Sequence, residues 1–170
     1  MNSGGFLKVS AVTVPQLEGC VIEVTTDFEH QVNCRVLEYW QSLCERTPDI
    51  GPQVSNFEIT DIIECSAYLI YNDVIDSGYD FRNRYWGTKI VSAFSLEATG
   101  KTFRVYYEGK ALEQVLEVAN FVISKVHSVK MLGQLDFAPG NKFRQFESIS
   151  VPLFDETGTA SRLVGAYDFY

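Results

Sequence analysis

The sequence predicts an α+β domain: a five-stranded antiparallel sheet with helices on one face, plus an N-terminal helical extension. Three observations lead to this fold class. Two strand-like runs are followed by several helical segments and then by three more strand-like runs. A polar turn joins the first two runs in the manner of a hairpin. Apolar residues make up 46% of the 170 residues, which is enough for a hydrophobic core.

The leading helix is predicted over residues 27–46. Thr26 or Asp27 is expected to cap it, and Pro48 is expected to end it. Apolar side chains recur at helical spacing and form one stripe, which consists of Val32, Val36, Tyr39, Trp40 and Leu43. The stripe suits two alternatives, namely packing on the chain's own sheet or an interface with a second copy of the chain.

The next segments predict a short helix and a β-hairpin. "SNFEITDIIEC" is expected to form the helix, with Ser55 or Asn56 as its cap. "AYLIYNDVI" and "YDFRNRYWG" are rich in β-branched and aromatic residues, and "DSG" between them is a turn sequence. The two runs are therefore predicted as paired antiparallel strands.

The second strand of this hairpin carries two arginines. Side chains alternate along a strand, so Arg82 and Arg84 are expected on the same face as Trp86. The opposite face then carries Phe81, Asn83 and Tyr85. The arginines either extend to solvent beside acidic residues or turn inward onto an anion, because an unpaired buried charge is untenable.

Two more helices and three strands complete the prediction. Thr88 is expected to cap the helix that includes "KIVSAFS", and a long helix is predicted over residues 109–126. Its inner stripe consists of Leu112, Val115, Leu116, Ala119, Val122 and Val126. The strands are "SVKMLGQLDF", "FRQFESISVPLF" and "ASRLVGAYDFY", and the last two are joined by the turn "DETG".

Composition and charge exclude several classes of function. The net charge is −8 and no basic run occurs, which argues against a nucleic-acid binder. No apolar run is long enough for a membrane span, and the first residues lack the features of a signal peptide, so a cytoplasmic location is expected. Residues 1–26 are predicted as an extended N-terminal segment, and residues 27–170 as one domain that includes the leading helix.

The cysteines and histidines do not predict a metal centre. Four cysteines without CxxC spacing are interpreted as reduced thiols. His30 and Cys34 lie four residues apart on the leading helix, but no further pair of ligands accompanies them. A catalytic function is not expected either, because no nucleophile–base pair, phosphate-binding loop or HExxH motif is present.

Six short motifs occur in the order found in one family. They are "LEYW" at Leu37–Trp40, "EITDI" at Glu58–Ile62, "DFRNRYWGT" at Asp80–Thr88, "EATGK" at Glu97–Lys101, "FESISVPL" at Phe146–Leu153 and "LVGAY" at Leu163–Tyr167. Over residues 32–168 the chain resembles a group of mostly uncharacterised, single-domain bacterial PAS proteins. It departs from their pattern at Ser95, where such turns often carry glycine, and at Asn83, where an aromatic residue is common.

The resemblance implies a sensory or signal-input domain that is not catalytic. It implies an antiparallel sheet with one face turned toward helices and, often, a ligand cavity between them. Aromatic side chains with polar tips suit such a cavity and equally suit a solid core, and the candidates are Tyr68, Arg84, Tyr85, Trp86, Phe103 and Tyr107. The expected partners are a small-molecule ligand, a second copy of the chain and a signalling protein. The alternative function is a ligand-free PAS-like dimerisation module that associates through the stripe of the leading helix.

The cofactor is left open, and two cofactors are disfavoured. "NCRVL" at Asn33–Leu37 is similar to the cysteine motif of flavin-binding LOV domains, a branch of the PAS family. However, its flanking residues differ, and it precedes the first hairpin instead of following it. His127 closes the long helix, where some PAS domains ligate haem, but the helix dipole also favours a histidine there.

Overall fold

The sheet contains six antiparallel strands in the part of the chain that the computed structural model describes, residues 12–135 and 144–170. The strands are β1 (Cys20–Val24), β2 (Leu69–Ile75), β3 (Asp80–Trp86), β4 (Val129–Leu135), β5 (Arg144–Phe154) and β6 (Ala160–Phe169). They lie side by side in the order β1-β4-β5-β6-β2-β3. The helices are α1 (Gln31–Arg46), α2 (Thr88–Phe94), α3 (Phe103–Tyr106) and α4 (Gly109–Ile123). Short 3-10 helices span Val54–Asn56, Ile59–Tyr68 and Asp76–Gly78.

The predicted fold class is confirmed, with one more strand than expected. The hairpin β2–β3, the helices after it and the three strands β4–β6 follow in the predicted order. The additional strand, β1, lies in the segment 1–26 and pairs with β4 along the edge of the sheet. Residues 1–11 of that segment lie outside the described residues. Within residues 12–135 and 144–170, no helix is long and apolar enough to cross a membrane.

Helix α1 ends where the sequence predicted but begins later. Its cap residue is His30, not Thr26 or Asp27, and the His30 side chain makes no capping hydrogen bond. A carboxylate from the sheet orders the entry instead, since Glu147 accepts hydrogen bonds from the backbone amides of Glu29 and His30, each at 3.0 Å. This group is more than a hundred residues away in sequence, so the local pattern could not reveal it.

Two further helix predictions differ from the structure, one at the start of a helix and one at the end of another. Gln53 and Glu58 cap the two 3-10 helices that replace the single predicted helix, so neither Ser55 nor Asn56 is a cap. Helix α4 ends at Ile123 instead of residue 126, and Val126 is exposed.

Gly87, and not Thr88, caps helix α2. A Cβ atom at this position would overlap the backbone carbonyl of Ala67. The chain therefore passes so close to the preceding 3-10 helix that only glycine fits.

The apolar stripe of α1 packs on the sheet of its own chain. Val36, Tyr39, Trp40 and Leu43 are buried, and Val32 is partly buried against the same cluster. Their partners on the sheet are Ile149, Val151, Leu153, Val164 and Ala166. The indole N–H of Trp40 also donates to the carbonyl of Pro152 at 2.9 Å, which anchors the helix to β5. The sheet therefore has helices on both faces and not on one face as predicted, because the leading helix packs on the face opposite α4.

A one-residue bulge in β3 changes the faces predicted for this strand. Asn72 is opposite Asn83 and Tyr71 is opposite Tyr85, so Arg84 is an extra residue without a partner in the β2–β3 pair. After the bulge, Trp86 returns to the face of Asn83, and its indole N–H donates to the Asn83 side chain at 2.9 Å. The predicted grouping of Trp86 with the arginines was wrong for this reason.

The two arginines of β3 extend to solvent. Arg84 is exposed and forms an ion pair with Asp73 at 2.7 Å, and Arg162 of β6 pairs with the same carboxylate at 2.9 Å. Arg82 is exposed as well. Of the two alternatives left open by the sequence, the solvent-facing one is confirmed.

Candidate functional site

A cavity of about 280 Å³ lies on the sheet face opposite α1. Helices α3 and α4 and the end of α2 cover it, and strands on both sides of β6 form its floor. Two small residues, Ser150 of β5 and Gly165 of β6, lie opposite each other on that floor. Because neither has a bulky side chain, space remains between the sheet and α4. The volume is close to the lower limit of about 300 Å³ for typical small-molecule sites.

One wall of the cavity is built around the buried amide of Asn83. Its Nδ2 donates to the Tyr106 hydroxyl at 2.8 Å and to the Lys101 carbonyl at 3.0 Å. Its Oδ1 accepts the indole N–H of Trp86 at 2.9 Å. A single side chain with satisfied hydrogen bonds therefore fixes the two aromatic rings, which meet edge to face with their centroids 6.3 Å apart.

Asn72 also lines the cavity, but its hydrogen bonding is incomplete. The residue is 3% exposed, and its Oδ1 has no hydrogen-bond partner among the described residues. Buried polar atoms in folded proteins are nearly always paired with protein or ordered water. Asn72 therefore contributes a buried and incompletely paired amide to the cavity wall.

The buried tyrosine hydroxyls of the cavity are uncharged at neutral pH. Burial raises the pKa of the hydroxyls of Tyr106, Tyr107 and Tyr167. The lining contains no Lys, Arg or His from the described residues, and its charged side chain is Glu18. The described lining is therefore mainly apolar and aromatic.

The segment before β1 forms part of the cavity wall. Leu17 and Glu18 line it, together with Cys20, the first residue of β1. The Glu18 carboxylate accepts a hydrogen bond from Lys110 of α4 at 3.0 Å, and both side chains are exposed. Sequence analysis did not place this segment, because its position depends on the pairing of β1 with β4.

The structure brings three of the six predicted cavity residues together. Trp86, Phe103 and Tyr107 line the cavity, whereas Tyr68, Arg84 and Tyr85 lie away from it. The bulge turns Tyr85 toward the α1 side of the sheet, where its hydroxyl donates to the carbonyl of Ser66 at 2.9 Å. Whether any of the six contacts a ligand stays a prediction.

The cavity also contains residues that the sequence analysis did not single out for it, namely Asn72, Asn83, Tyr106 and Gly165. Asn72 and Asn83 had a readable signal, because each is an amide in the middle of a strand-like run of apolar and aromatic residues. Tyr106 and Gly165 had none, since a pocket-lining Tyr or Gly looks like any other in a sequence.

Behind the cavity floor, on the α1 side, β5 carries a buried carboxylate. Glu147 is 1% exposed. Its carboxylate accepts a hydrogen bond from Nδ2 of Asn33 at 2.9 Å and forms an ion pair with Lys130 at 3.2 Å. Burial by itself raises the pKa of Glu147, but the hydrogen bonds from Asn33 and the backbone amides, with that from Lys130, outweigh it and leave the pKa lowered. The carboxylate therefore stays ionised and holds α1 to the sheet.

The residues considered for flavin and haem lie elsewhere. Cys34 is on α1, where its thiol lies 3.2 Å from the carbonyl of Phe28. His127 does not close the long helix as predicted, because α4 ends at Ile123. Its ring lies 3.2 Å from the carbonyl of Phe121, and burial lowers the pKa of His127. Neither residue lines the cavity. No group of three or more His, Cys, Asp or Glu side chains in the described ranges could hold a metal ion.

Searches against protein-family models and against curated proteins each found no match. Three solved structures are similar to this chain. The light-state structure of the blue-light photoreceptor Aureochrome1 LOV is 11% identical with a TM-score of 0.41, over 67% of this chain and 89% of that one. An RNA-binding Light-Oxygen-Voltage receptor is 12% identical with a TM-score of 0.49, and the match covers 91% of this chain and 39% of the receptor chain. A sensory box histidine kinase/response regulator from Burkholderia thailandensis is 13% identical with a TM-score of 0.40, and the match covers 66% of this chain and 84% of that one.

The chain has a PAS-like fold. The topology carries this statement, because a hairpin, a set of helices and three further strands form one antiparallel sheet. A cavity lies between that sheet and the helices, as the resemblance in the sequence implied.

Proposed function

We propose that this chain is a PAS-type sensory domain whose input is a small molecule bound in the cavity. The cavity itself carries the proposal, because it leaves a space of about 280 Å³ between the sheet and the helices. An ordinary core is packed without room for another molecule, whereas this cavity combines space with aromatic walls and a few polar side chains. A small molecule of matching shape would fill that space.

The same lining supports a non-catalytic role. Its polar side chains are mainly amides and hydroxyls, and burial raises the pKa of the three tyrosines. Raised values keep these hydroxyls protonated near pH 7, so they are poor bases and poor nucleophiles. Binding is therefore the chemistry that the lining favours.

The sheet offers a route from the cavity to α1. Phe146 and Ser150 of β5 face the cavity, while Glu147 and Ile149 face α1. A bound ligand that shifts β5 would alter the hydrogen bonds between Glu147 and the start of α1. In this proposal the ligand shifts the population of α1 packing arrangements, and a signalling protein or a second copy of the chain reads the shift.

Native mass spectrometry of freshly purified protein, with a visible absorption spectrum, tests this proposal. The matched variant is Gly165→Leu, because an added Cβ at Gly165 meets its nearest neighbour at an ordinary 3.5 Å and longer side chains extend over the cavity floor. We expect a small-molecule mass excess on the wild type that is absent from the folded variant. An equal mass excess on both proteins would place the ligand elsewhere, and bare protein that also fails to bind any small apolar probe would contradict the proposal.

The ligand-free dimerisation module remains the alternative function. Most of the stripe proposed for its interface is covered by the chain's own sheet, so such a dimer would need a surface in addition to the partly buried Val32. Homodimer formation, a signalling partner and a cytoplasmic location all stay proposals. Analytical ultracentrifugation across a range of protein concentrations would test the dimer.

A further inference from the structure

We infer that the sheet carries a docking surface for an extended acidic segment of a partner protein. The surface, which we call the arginine surface, consists of Arg82, Arg84 and Arg162 around Asp73. Asp73 follows Tyr71 by two residues on β2, so it lies on the α1 face of the sheet, opposite the cavity. The inference therefore goes beyond the proposed function and does not depend on a ligand in the cavity.

The pairing of three strands assembles the arginine surface. Asp73 of β2 lies directly opposite Arg82 of β3 on one side and opposite Arg162 of β6 on the other. Arg84 is the extra residue of the bulge, and its Nε donates a hydrogen bond to Oδ1 of Asp73 at 2.7 Å. Bulges re-aim side chains in this way. Residues far apart in the sequence thus bring three arginines to one carboxylate.

The charge of the arginine surface is not balanced within the described part of the chain. Asp73 pairs with Arg84 and Arg162, whereas Arg82 forms no ion pair with any described residue. Three positive charges and one negative charge leave a local charge of +2, on a chain whose net charge is −8. Close like charges repel each other, and an incoming anion relieves that repulsion. The surface therefore favours an acidic partner.

Two of the arginines have hydrogen-bond donors to offer. Arg82 and Arg84 are exposed, and among the described residues Arg84 uses only Nε while the Arg82 guanidinium makes no hydrogen bond. A guanidinium presents five N–H donors in a fork that matches the two oxygens of a carboxylate. Arg162 is only 22% exposed, and its Nη1 donates to the backbone and side chain of Ser161. Arg82 and Arg84 are therefore the contact residues, and Arg162 adds charge and holds Asp73.

The exposure and spacing of the contact residues favour an extended segment over a single small anion. An exposed ion pair contributes little by itself, so one free phosphate or carboxylate would bind weakly. Several carboxylates on one chain bind together, because the first contact raises the effective concentration of the next. Arg82 and Arg84 lie two residues apart on β3, about 7 Å along a strand. Carboxylates two residues apart on an extended partner segment have the same spacing and point to the same side.

Fluorescence anisotropy with two labelled peptides tests this inference. One peptide alternates Glu and Ser, and its control alternates Gln and Ser. We expect the wild type to bind the Glu peptide at least about tenfold more tightly at low ionic strength, and salt should reduce this preference. Arg82→Gln/Arg84→Gln should remove most of the preference. Lys89→Gln/Lys125→Gln should keep it, since this matched variant removes the same charge from exposed positions outside the arginine surface.

Each other outcome would overturn the inference. Equal affinities of the wild type for the two peptides would show that the surface does not recognise carboxylates. Equal losses in the two double variants would show a general attraction between charges. Displacement of the Glu peptide by inorganic phosphate at a similar concentration would make the surface a site for small anions. Self-association that only the arginine variant abolishes, measured by analytical ultracentrifugation, would identify a second copy of the chain as the occupant.

The test remains decisive if the double arginine variant does not fold. Arg82→Gln alone breaks no ion pair with a described residue, so it should fold as the wild type does and weaken binding of the Glu peptide roughly threefold. An unchanged affinity would overturn the assignment of Arg82. The proposed function is tested separately, because a cavity that binds no small molecule would leave these peptide affinities unchanged.

Discussion

The two faces of the sheet are built from the same strands but are packed differently. The face toward α1 is filled by large apolar side chains, including Leu43, Ile149 and Leu153, and its buried carboxylate, Glu147, is paired. The face toward α4 carries Gly165 and Ser150 at its centre and encloses a cavity. Neighbouring residues of β6 show the difference directly, since Gly165 faces the cavity and Ala166 faces α1.

This difference indicates a division of roles between the faces. Close packing and paired charges stabilise a single arrangement of α1 on the sheet. The cavity face forgoes some of that stability, because a void forfeits dispersion contacts. The α1 face therefore determines stability, and the other face is suited to binding.

Leu43→Ala should have the largest effect, because it opens a void in the filled face. Leu43 is fully buried in the α1 cluster. We expect the free energy of unfolding to fall by about 4 kcal/mol, measured by chemical denaturation. Val126→Ala is the control, since Val126 is exposed, and it should change stability by no more than ~0.5 kcal/mol. A similar small loss for Leu43→Ala would mean that α1 is not packed as described.

Glu147→Gln should have the next largest effect. The substitution leaves the buried ammonium of Lys130 without its carboxylate and removes an acceptor at the start of α1. We expect a loss of roughly 3 kcal/mol in the free energy of unfolding. Glu64→Gln is the matched control, because Glu64 forms an exposed ion pair with Arg35, and its effect should be far smaller.

The effect of Glu147→Gln should depend on pH. The pKa of Glu147 is lowered in the folded protein, so its contribution to stability is fully present above the unfolded-state value of 4.5 and declines as the pH falls through the folded value. The difference in unfolding free energy between wild type and variant should therefore narrow below about pH 4.5. A difference that stays constant into this acidic range would contradict the assignment.

Asn83→Leu should lower the free energy of unfolding by a smaller amount, and the matched variant Asn72→Leu should not lower it. Removal of the Asn83 amide leaves the buried N–H of Trp86 without an acceptor, which should lower the free energy of unfolding by about 2 kcal/mol. Asn72→Leu removes an oxygen that has no described partner, so stability should change little or rise. Equal losses in the two variants would show that Asn72 is paired after all. Thermal unfolding of both variants makes the comparison.

The filled face could be predicted from the sequence more completely than the cavity face. The stripe Val32–Leu43 and the β2–β3 hairpin follow from periodicity and turn chemistry, which act over a few residues. The bulge at Arg84 could not be predicted from the sequence, because a bulge is a property of two paired strands. The cavity volume above Gly165 could not be predicted either, since it depends on how α4 packs over the sheet.

The central claim is that two neighbouring residues of β6 face opposite surroundings, Ala166 a filled core and Gly165 a cavity. One pair of variants tests this claim most directly. We would measure the free energies of unfolding of Gly165→Leu and Ala166→Leu in ligand-free protein by chemical denaturation. Ala166 is fully buried against α1, so the added volume should destabilise the protein by about 3 kcal/mol. At Gly165 the same side chain should enter the cavity and leave stability within ~1 kcal/mol of the wild type. Equal destabilisation by the two substitutions would contradict the claim that the sheet has one filled face and one face with a cavity.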